Sequence, residues 1–326
     1  MNDAILVTGG AGYIGSHACK ALADAGFLPV TLDNLCLGRR EFVRWGPLIV
    51  ADVRQVDVVA ATIKEHQIVG VMHFAAFAQV GESVADPAKY YANNVEGTLA
   101  LLTAMRQTDL RTILFSSSCA VYGSPDAMPI SERTLPRPIN PYGHSKLMCE
   151  TILTDFAAAY GLQQSALRYF NATGAEPGAG IGEQTATRLI ARAILSLLGQ
   201  VDAFAVNGDD FPTPDGTAIR DYIHVSDLAD AHVTAMRHLL KGYPGGCLNL
   251  GTGHGYSIKD VLTTVERVTG RRINAPIGPR RTGDPAVLIA DPSLARDLLG
   301  FVPQRSDICT IVKDAWLWHS FANQRR

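Results

Sequence analysis

The sequence predicts an α/β fold, a doubly wound parallel sheet followed by a smaller α/β domain. Three features point to it. Short apolar runs alternate with helical patterns through the first half, a glycine-rich turn joins the first run to the first helix, and the texture loosens past about residue 170. At 326 residues the chain is long enough for two domains.

Taken in order, Ile5-Leu6-Val7 reads as a buried strand, and a helix from about Ile14 to Ala25 follows, stopped by Gly26. Val30 to Leu32 is a second strand ending at Asp33, and Leu48 to Val50 a third ending at Asp52. A helix over Val56 to His66 leads to a fourth strand, Val69 to Phe74. Another helix, roughly Ala88 to Arg106, precedes the strand Ile113-Leu114-Phe115 and its run of three serines. The helix after Pro141 leads to a sixth strand near Ala166-Leu167. Strands this uniformly apolar are buried on both faces, as parallel strands flanked by helices are.

The second half is different. Residues 174–187 are rich in Gly, Ala and Pro, and two further glycine- and proline-bearing segments, 207–217 and 276–285, punctuate it. The expected division is residues 1–170 and 171–326, with the chain crossing back to the sheet edge near 205–240. In such folds ligands bind at the carboxyl ends of the strands.

Composition excludes several functions. Lys and Arg number 29 against 31 Asp and Glu, so no positive field exists to hold a nucleic acid or an anionic membrane. The longest mostly apolar stretch, Ile68 to Val80, is interrupted by His73 and Gln79 and is too short to span a bilayer. The start, Met1-Asn2-Asp3, has no basic region, so a secretory signal is not expected and a cytoplasmic location is. Six scattered cysteines, with no C-x-x-C pair, suggest reduced thiols rather than a disulfide scaffold or a zinc site. His224 beside Asp227 invites a metal reading, but no second ligand has metal spacing, and no metal is expected.

The first strand-to-helix turn is Thr8-Gly9-Gly10-Ala11-Gly12-Tyr13-Ile14-Gly15. Glycines let a backbone turn tightly and approach a pyrophosphate, which then rests on the helix N-terminus. Asp33 lies 18 residues past Gly15 at a strand end, where a carboxylate accepts the adenosine ribose hydroxyls and repels a 2′-phosphate. The expectation is a Rossmann-type domain that binds NAD rather than NADP; Arg39 and Arg40 nearby read as a solvated loop.

Tyr142 and Lys146 stand four apart at the start of a helix, on one face. A free Tyr is a poor base at neutral pH, but a nearby ammonium favours the phenolate, which could take a hydroxyl proton as hydride leaves for NAD. Ser118, at the end of a core strand, supplies a hydroxyl that can bond the same substrate oxygen.

With these motifs in hand, the chain resembles the extended short-chain dehydrogenase/reductases and, within them, the UDP-glucose 4-epimerase branch. The likeness runs nearly end to end. Besides the motifs above it includes His73 to Ala76, Val80 to Val84, Asn93 to Thr98, Arg168 to Asn171, Asp209 to Val225, Asn249 to Gly253 and Arg280 to Asp284. Gly216-Thr217 with Arg220 to Val225 is a mark of that branch.

The resemblance implies that Tyr142 is the base, Ser118 a proton-relaying hydroxyl, and Lys146 the group that holds the nicotinamide ribose. It implies an NAD site completed by Gly9, Gly12, Tyr13, Ile14, Gly15, Asn34, Asp52, Val53, Phe74, Ala75, Ala76, Asn93, Ser116 and Phe170. Asn171, Leu189, Arg220, Arg281, Asp284 and Leu288 would take the UDP-sugar, with two arginines for a diphosphate. It further implies a homodimer, with Leu99, Leu102, Leu147, Ile152 and Phe156 as surplus apolar residues on its helices.

Four departures loosen the choice of sugar. Ala78 stands where a lysine is usual, Asn207 where an aromatic is, and Arg188 where Asn or His is; the loop 34–47 is also short. Leu288 is intermediate in size at a position that limits room for a 2-acetamido group. The expected reaction is interconversion of UDP-glucose and UDP-galactose through a 4-keto sugar. UDP-xylose/UDP-arabinose epimerisation is the alternative, and a net NAD-dependent oxidoreductase a third reading.

Overall fold

Seven strands form the central sheet of the computed structural model, which describes residues 3–201, 204–280 and 283–324. They are β1 (Ala4–Thr8), β2 (Leu28–Asp33), β3 (Leu48–Val50), β4 (Ile68–His73), β5 (Thr112–Ser118), β6 (Gln163–Tyr169) and β7 (Cys247–Leu250). Their order is β7-β6-β5-β4-β1-β2-β3, and the neighbours from β6 to β3 run parallel. The order reverses direction after β1, the topological switch point of a doubly wound sheet. Four helices matter for the site: α1 (Tyr13–Asp24), α2 (Val56–Glu65), α3 (Glu96–Gln107) and α4 (Pro141–Tyr160).

β1 and β5 are buried along their whole lengths, and Leu6, Val30, Val71, Ile113 and Phe115 form one core with Val59, Leu101, Met105 and Leu153 from the helices. That burial on both faces is what made the strands read as unbroken apolar runs. β5 continues through Ser116, Ser117 and Ser118, and β6 runs from Gln163 to Tyr169, past its apolar centre on both sides. Serine is a poor strand former, so pattern alone stops at Phe115.

The helix expected over Ala88 to Arg106 is broken into three pieces. Pro87–Tyr90 is followed by a π turn, Tyr91–Val95, and then by α3. Single π turns occur often at functional sites; this one carries Asn93 and Asn94.

Two compact units emerge, each built from separated stretches of the chain. The first comprises the residues up to Gly123, Leu135–Tyr169 and Ala229–Leu248; the second comprises Ser124–Thr134, Phe170–Leu228 and the chain from Asn249. The chain passes from the first unit to the second at Tyr169/Phe170. The segment Ala229–Leu248 belongs to the first unit, and it brings the larger part of the helix Val225–Leu240 and the start of β7.

In the second unit the helices Leu189–Leu197, Ile258–Thr269 and Ile308–Gln324 meet around Ile190, Ile194, Val261, Val265, Ile311 and Val312. Small sheets flank them. One is Tyr256–Ser257, Ile219–Arg220 and Val287–Leu288; another pairs Tyr222–His224 with Asn171–Thr173.

Of the apolar residues expected to be surplus, Leu102 is buried and Ile152 and Phe156 pack on the core of the first unit; Leu99 remains 40% exposed. No disulfide joins the six cysteines. Among the described residues no helix is long and apolar enough to cross a membrane.

Candidate active site

The glycine turn packs backbone directly on backbone, which only glycine allows at these positions. Gly9 has φ +73°, and a Cβ there would stand 2.7 Å from the amide nitrogen of Ala75. A Cβ at Gly15 would run into the carbonyl of Gly9. Helix α1 then starts at Gly12 with no side-chain cap, so the positive end of its dipole is left for an anion. These features fit a dinucleotide pyrophosphate.

At the end of β2 the Asp33 carboxylate accepts from the Ala11 amide at 3.0 Å and the Leu35 amide at 2.8 Å. Burial pushes its pKa up, and those two bonds pull against it. Asn34 donates to Asp52 at 3.0 Å, and hydrogen bonding from Arg54 holds the Asp52 carboxyl well below the usual range. Val53 is buried beside Ala51 in the core of this unit.

The loop after β4 begins at Phe74, whose amide bonds the Thr8 carbonyl at 2.9 Å, and continues through Ala75 and Ala76. Asn94, buried in the π turn, ties it down: its Oδ1 accepts from the Phe77 amide at 2.9 Å, and its Nδ2 donates to the Phe77 carbonyl at 3.1 Å and to Ser145 Oγ at 3.0 Å. Asn93 donates to the same Oδ1 at 3.0 Å. His73 bridges Thr8 Oγ1 at 2.6 Å and Thr98 Oγ1 at 3.1 Å; burial holds it neutral, its pKa pushed down to about 3.

Ser118 ends β5, and its Oγ accepts from the Ala120 amide at 3.2 Å. Asn140 caps α4 by accepting from the Gly143 amide at 2.9 Å, and Pro141 sets the first turn. Gly143 lies so close to the turn Cys119–Tyr122 that a Cβ would stand 2.5 Å from the Ala120 carbonyl. This contact brings the start of α4, with Tyr142, against the turn that follows Ser118. One turn on, Lys146 is buried, with Nζ donating to the Ser116 carbonyl at 2.7 Å and lying 5.9 Å from the centre of the Tyr142 ring. Burial pushes its pKa down to about 8.

In the second unit, Arg220 Nη2 meets Asp284 Oδ1 at 2.5 Å, and Arg220 pairs with Leu288 across the small sheet. Asn171 Nδ2 donates to the Asp221 carbonyl at 3.2 Å. Asp221 itself is fully buried, accepting from the amides of Thr252, Gly253 and Ala290 and from the Thr252 hydroxyl at 2.7 Å. Arg220, Asp284, Leu288 and Asn171 are therefore brought to one small network. Leu189 begins the helix Leu189–Leu197 and packs on its core, Phe170 is buried, and Arg281 lies outside the described residues.

His224 and Asp227 have other partners. His224 Nδ1 accepts from the Ser226 amide at 3.0 Å, and Asp227 takes the Ser306 hydroxyl at 2.7 Å. Asp221, Asn94, Glu150 and Arg168 were not singled out by sequence reasoning. Asp221, Asn94 and Arg168 lie in stretches that carry the resemblance but received no role, and the signal at Glu150 is its spacing of four from Lys146.

Residues 5–251 match the NAD dependent epimerase/dehydratase family. A UDP-glucose 4-epimerase of Rhizobium meliloti (strain 1021) is 47% identical over 326 residues, covering 99% of both chains. The crystal structure of UDP-glucose 4-epimerase from Brucella ovis in complex with NAD superposes with a TM-score of 0.94 at 49% identity, covering 96% of this chain and 97% of that one. A UDP-glucose-4-epimerase from Stenotrophomonas maltophila, with bound NAD and formylated UDP-arabinopyranose, gives a TM-score of 0.96 at 40% identity over the full length of both. With the glycine turn, the acid closing β2 and the Tyr142/Lys146 pair all in place along the matched stretch, the chain belongs to the NAD dependent epimerase/dehydratase family.

Proposed function

We propose that the chain is a UDP-glucose 4-epimerase that interconverts UDP-glucose and UDP-galactose with NAD held throughout the cycle. The observation that carries the reading is the buried Lys146, anchored on Ser116 beside Ser118 and one turn from Tyr142. Full-length kinship to UDP-glucose 4-epimerases supports it.

On this reading the first unit holds NAD. Its glycine turn takes the pyrophosphate, Asp33 the adenosine ribose, and Asn34, Asp52, Phe74 to Ala76 and Asn93 the rest of the cradle. Bound NAD supplies an acceptor, and then a donor, for the hydride at sugar C4. Tyr142, as phenolate, takes the proton of the C4 hydroxyl and gives it back; Ser118 bonds the same oxygen; the Lys146 ammonium favours the phenolate. In the second unit Arg220, Asn171, Asp284 and Arg281 grip the UDP, leaving the sugar loosely held, as inversion at one carbon requires. The protein works as a cytoplasmic homodimer.

A second reading, UDP-xylose/UDP-arabinose epimerisation, is favoured by Ala78, where a cation near the cofactor is missing, and by Asn207, where an aromatic beside the uridine is missing. Two assays separate the readings. Denaturing the purified protein should release NAD, and the native protein should interconvert the UDP-hexoses with none added. A protein that must be resupplied with NAD at each turnover is instead a net oxidoreductase. A kcat/KM for the pentose pair tenfold above that for the hexose pair, about 1.4 kcal/mol at the transition state, would move the choice to the second reading.

A further inference from the structure

The reaction as described uses neither Glu150 nor Arg168, yet both are buried. Glu150 lies one turn beyond Lys146 on α4. Arg168, on β6, grips it with two bonds, Nε to Oε1 at 2.9 Å and Nη2 to Oε2 at 2.5 Å, while its Nη1 donates to Tyr122 Oη at 2.9 Å. The Ser117 hydroxyl donates to Glu150 Oε1 at 2.5 Å.

Ser117 stands between Ser116, whose carbonyl receives Lys146 Nζ, and Ser118. The carboxylate is thus bonded to the strand end that carries Ser118 and receives Lys146. Burying two charges costs more than burying an apolar pair of the same size, so stability alone does not account for this one.

Resting on the assignment of Tyr142 and Lys146 above, we propose that Glu150 and Arg168 are positioning residues for the reaction. Glu150 fixes the end of β5 through Ser117 and sets a negative charge one turn from Lys146 on α4, and Arg168 fixes Glu150.

The ionisable groups around the cluster of Lys146, Glu150 and Arg168 come from three strands, one helix and the turn after β5. They are Tyr142, Cys149 and Glu150 on α4, neutral His73 on β4, Arg168 and Tyr169 on β6, Tyr122 after β5, and Cys247 on β7, 3.8 Å from Glu150. Of these only Glu150 is a carboxylate. Burial lowers the Lys146 proton affinity, and Cys149 and the charge of Glu150 raise it. Removing that charge must therefore let the proton leave at lower pH, and with it the pull on the Tyr142 phenolate.

The test compares pH profiles of kcat for the NAD-loaded wild type, Glu150→Gln and Ser117→Ala, with UDP-galactose as substrate. In Glu150→Gln the alkaline limb should move down by about half a pH unit or more. In Ser117→Ala, which keeps every charge, the limb should stay while kcat falls roughly fivefold and KM stays within about twofold. A folded Glu150→Gln with an unmoved limb overturns the proposal whatever its kcat. If Glu150→Gln does not fold, Ser117→Ala decides, and a wild-type kcat there overturns it. A wild type without epimerase activity, or a fully active Tyr142→Phe, overturns the underlying assignment and this inference together.

Discussion

Lys146 is an ammonium almost without water, held by the Ser116 carbonyl, with the Glu150 carboxylate one turn along the same helix. Folding lowers its proton affinity to about 8, so the folded state binds fewer protons than the unfolded chain between there and the ordinary lysine value. The sign follows: the group costs stability in full below about pH 8, and the cost fades as pH rises through that window. A site that bears this cost must need the charge, and Tyr142 is the residue beside it that gains. Tyr142→Phe should therefore keep the fold and lose roughly 10²–10⁴-fold in kcat, the usual worth of a positioned acid or base. Unchanged turnover would remove Tyr142 as the base. At this scale the glycines, Asp33, Ser118, Tyr142 and Lys146 are legible in sequence because each sits at a fixed offset within a local motif. Asp221 is not, because its partners at Thr252, Gly253 and Ala290 come from loops distant in the chain.

Elements deliver these side chains, and the joint between the turn Cys119–Tyr122 and α4 sets their geometry. Its tolerance is small. An alanine at Gly143 would press on the Ala120 carbonyl, a backbone atom that cannot swing away. Gly143→Ala is expected to cost about 1–3 kcal/mol in stability and more than tenfold in kcat, with NAD still bound. Thermal melting, kcat and released nucleotide measured on one preparation check it; wild-type turnover would mean that the joint is slack. Strand alternation with helices is legible because burial on both faces writes it into composition. The serines of β5, the π turn and β7 are not, since each depends on contacts made after the chain has folded.

For the whole molecule, most of the apolar residues on α3 and α4 are spent on the core. What remains is a narrower face with Leu99 and Met148, 40% and 45% exposed, on neighbouring helices. If the homodimer forms there, light scattering at micromolar concentration should report twice the chain mass, and Leu99→Glu with Met148→Glu should halve it without loss of NAD. A monomeric wild type would refute the dimer. The return of Ala229–Leu248 to the first unit has a consequence for how the protein can be made. During synthesis the first six strands leave the ribosome well before the seventh, so β6 waits as an open edge, ready to pair with another chain, until most of the polypeptide has appeared. A fragment ending near residue 170 would keep that edge permanently, and expression of the cofactor half alone should give aggregates where the full chain gives soluble enzyme.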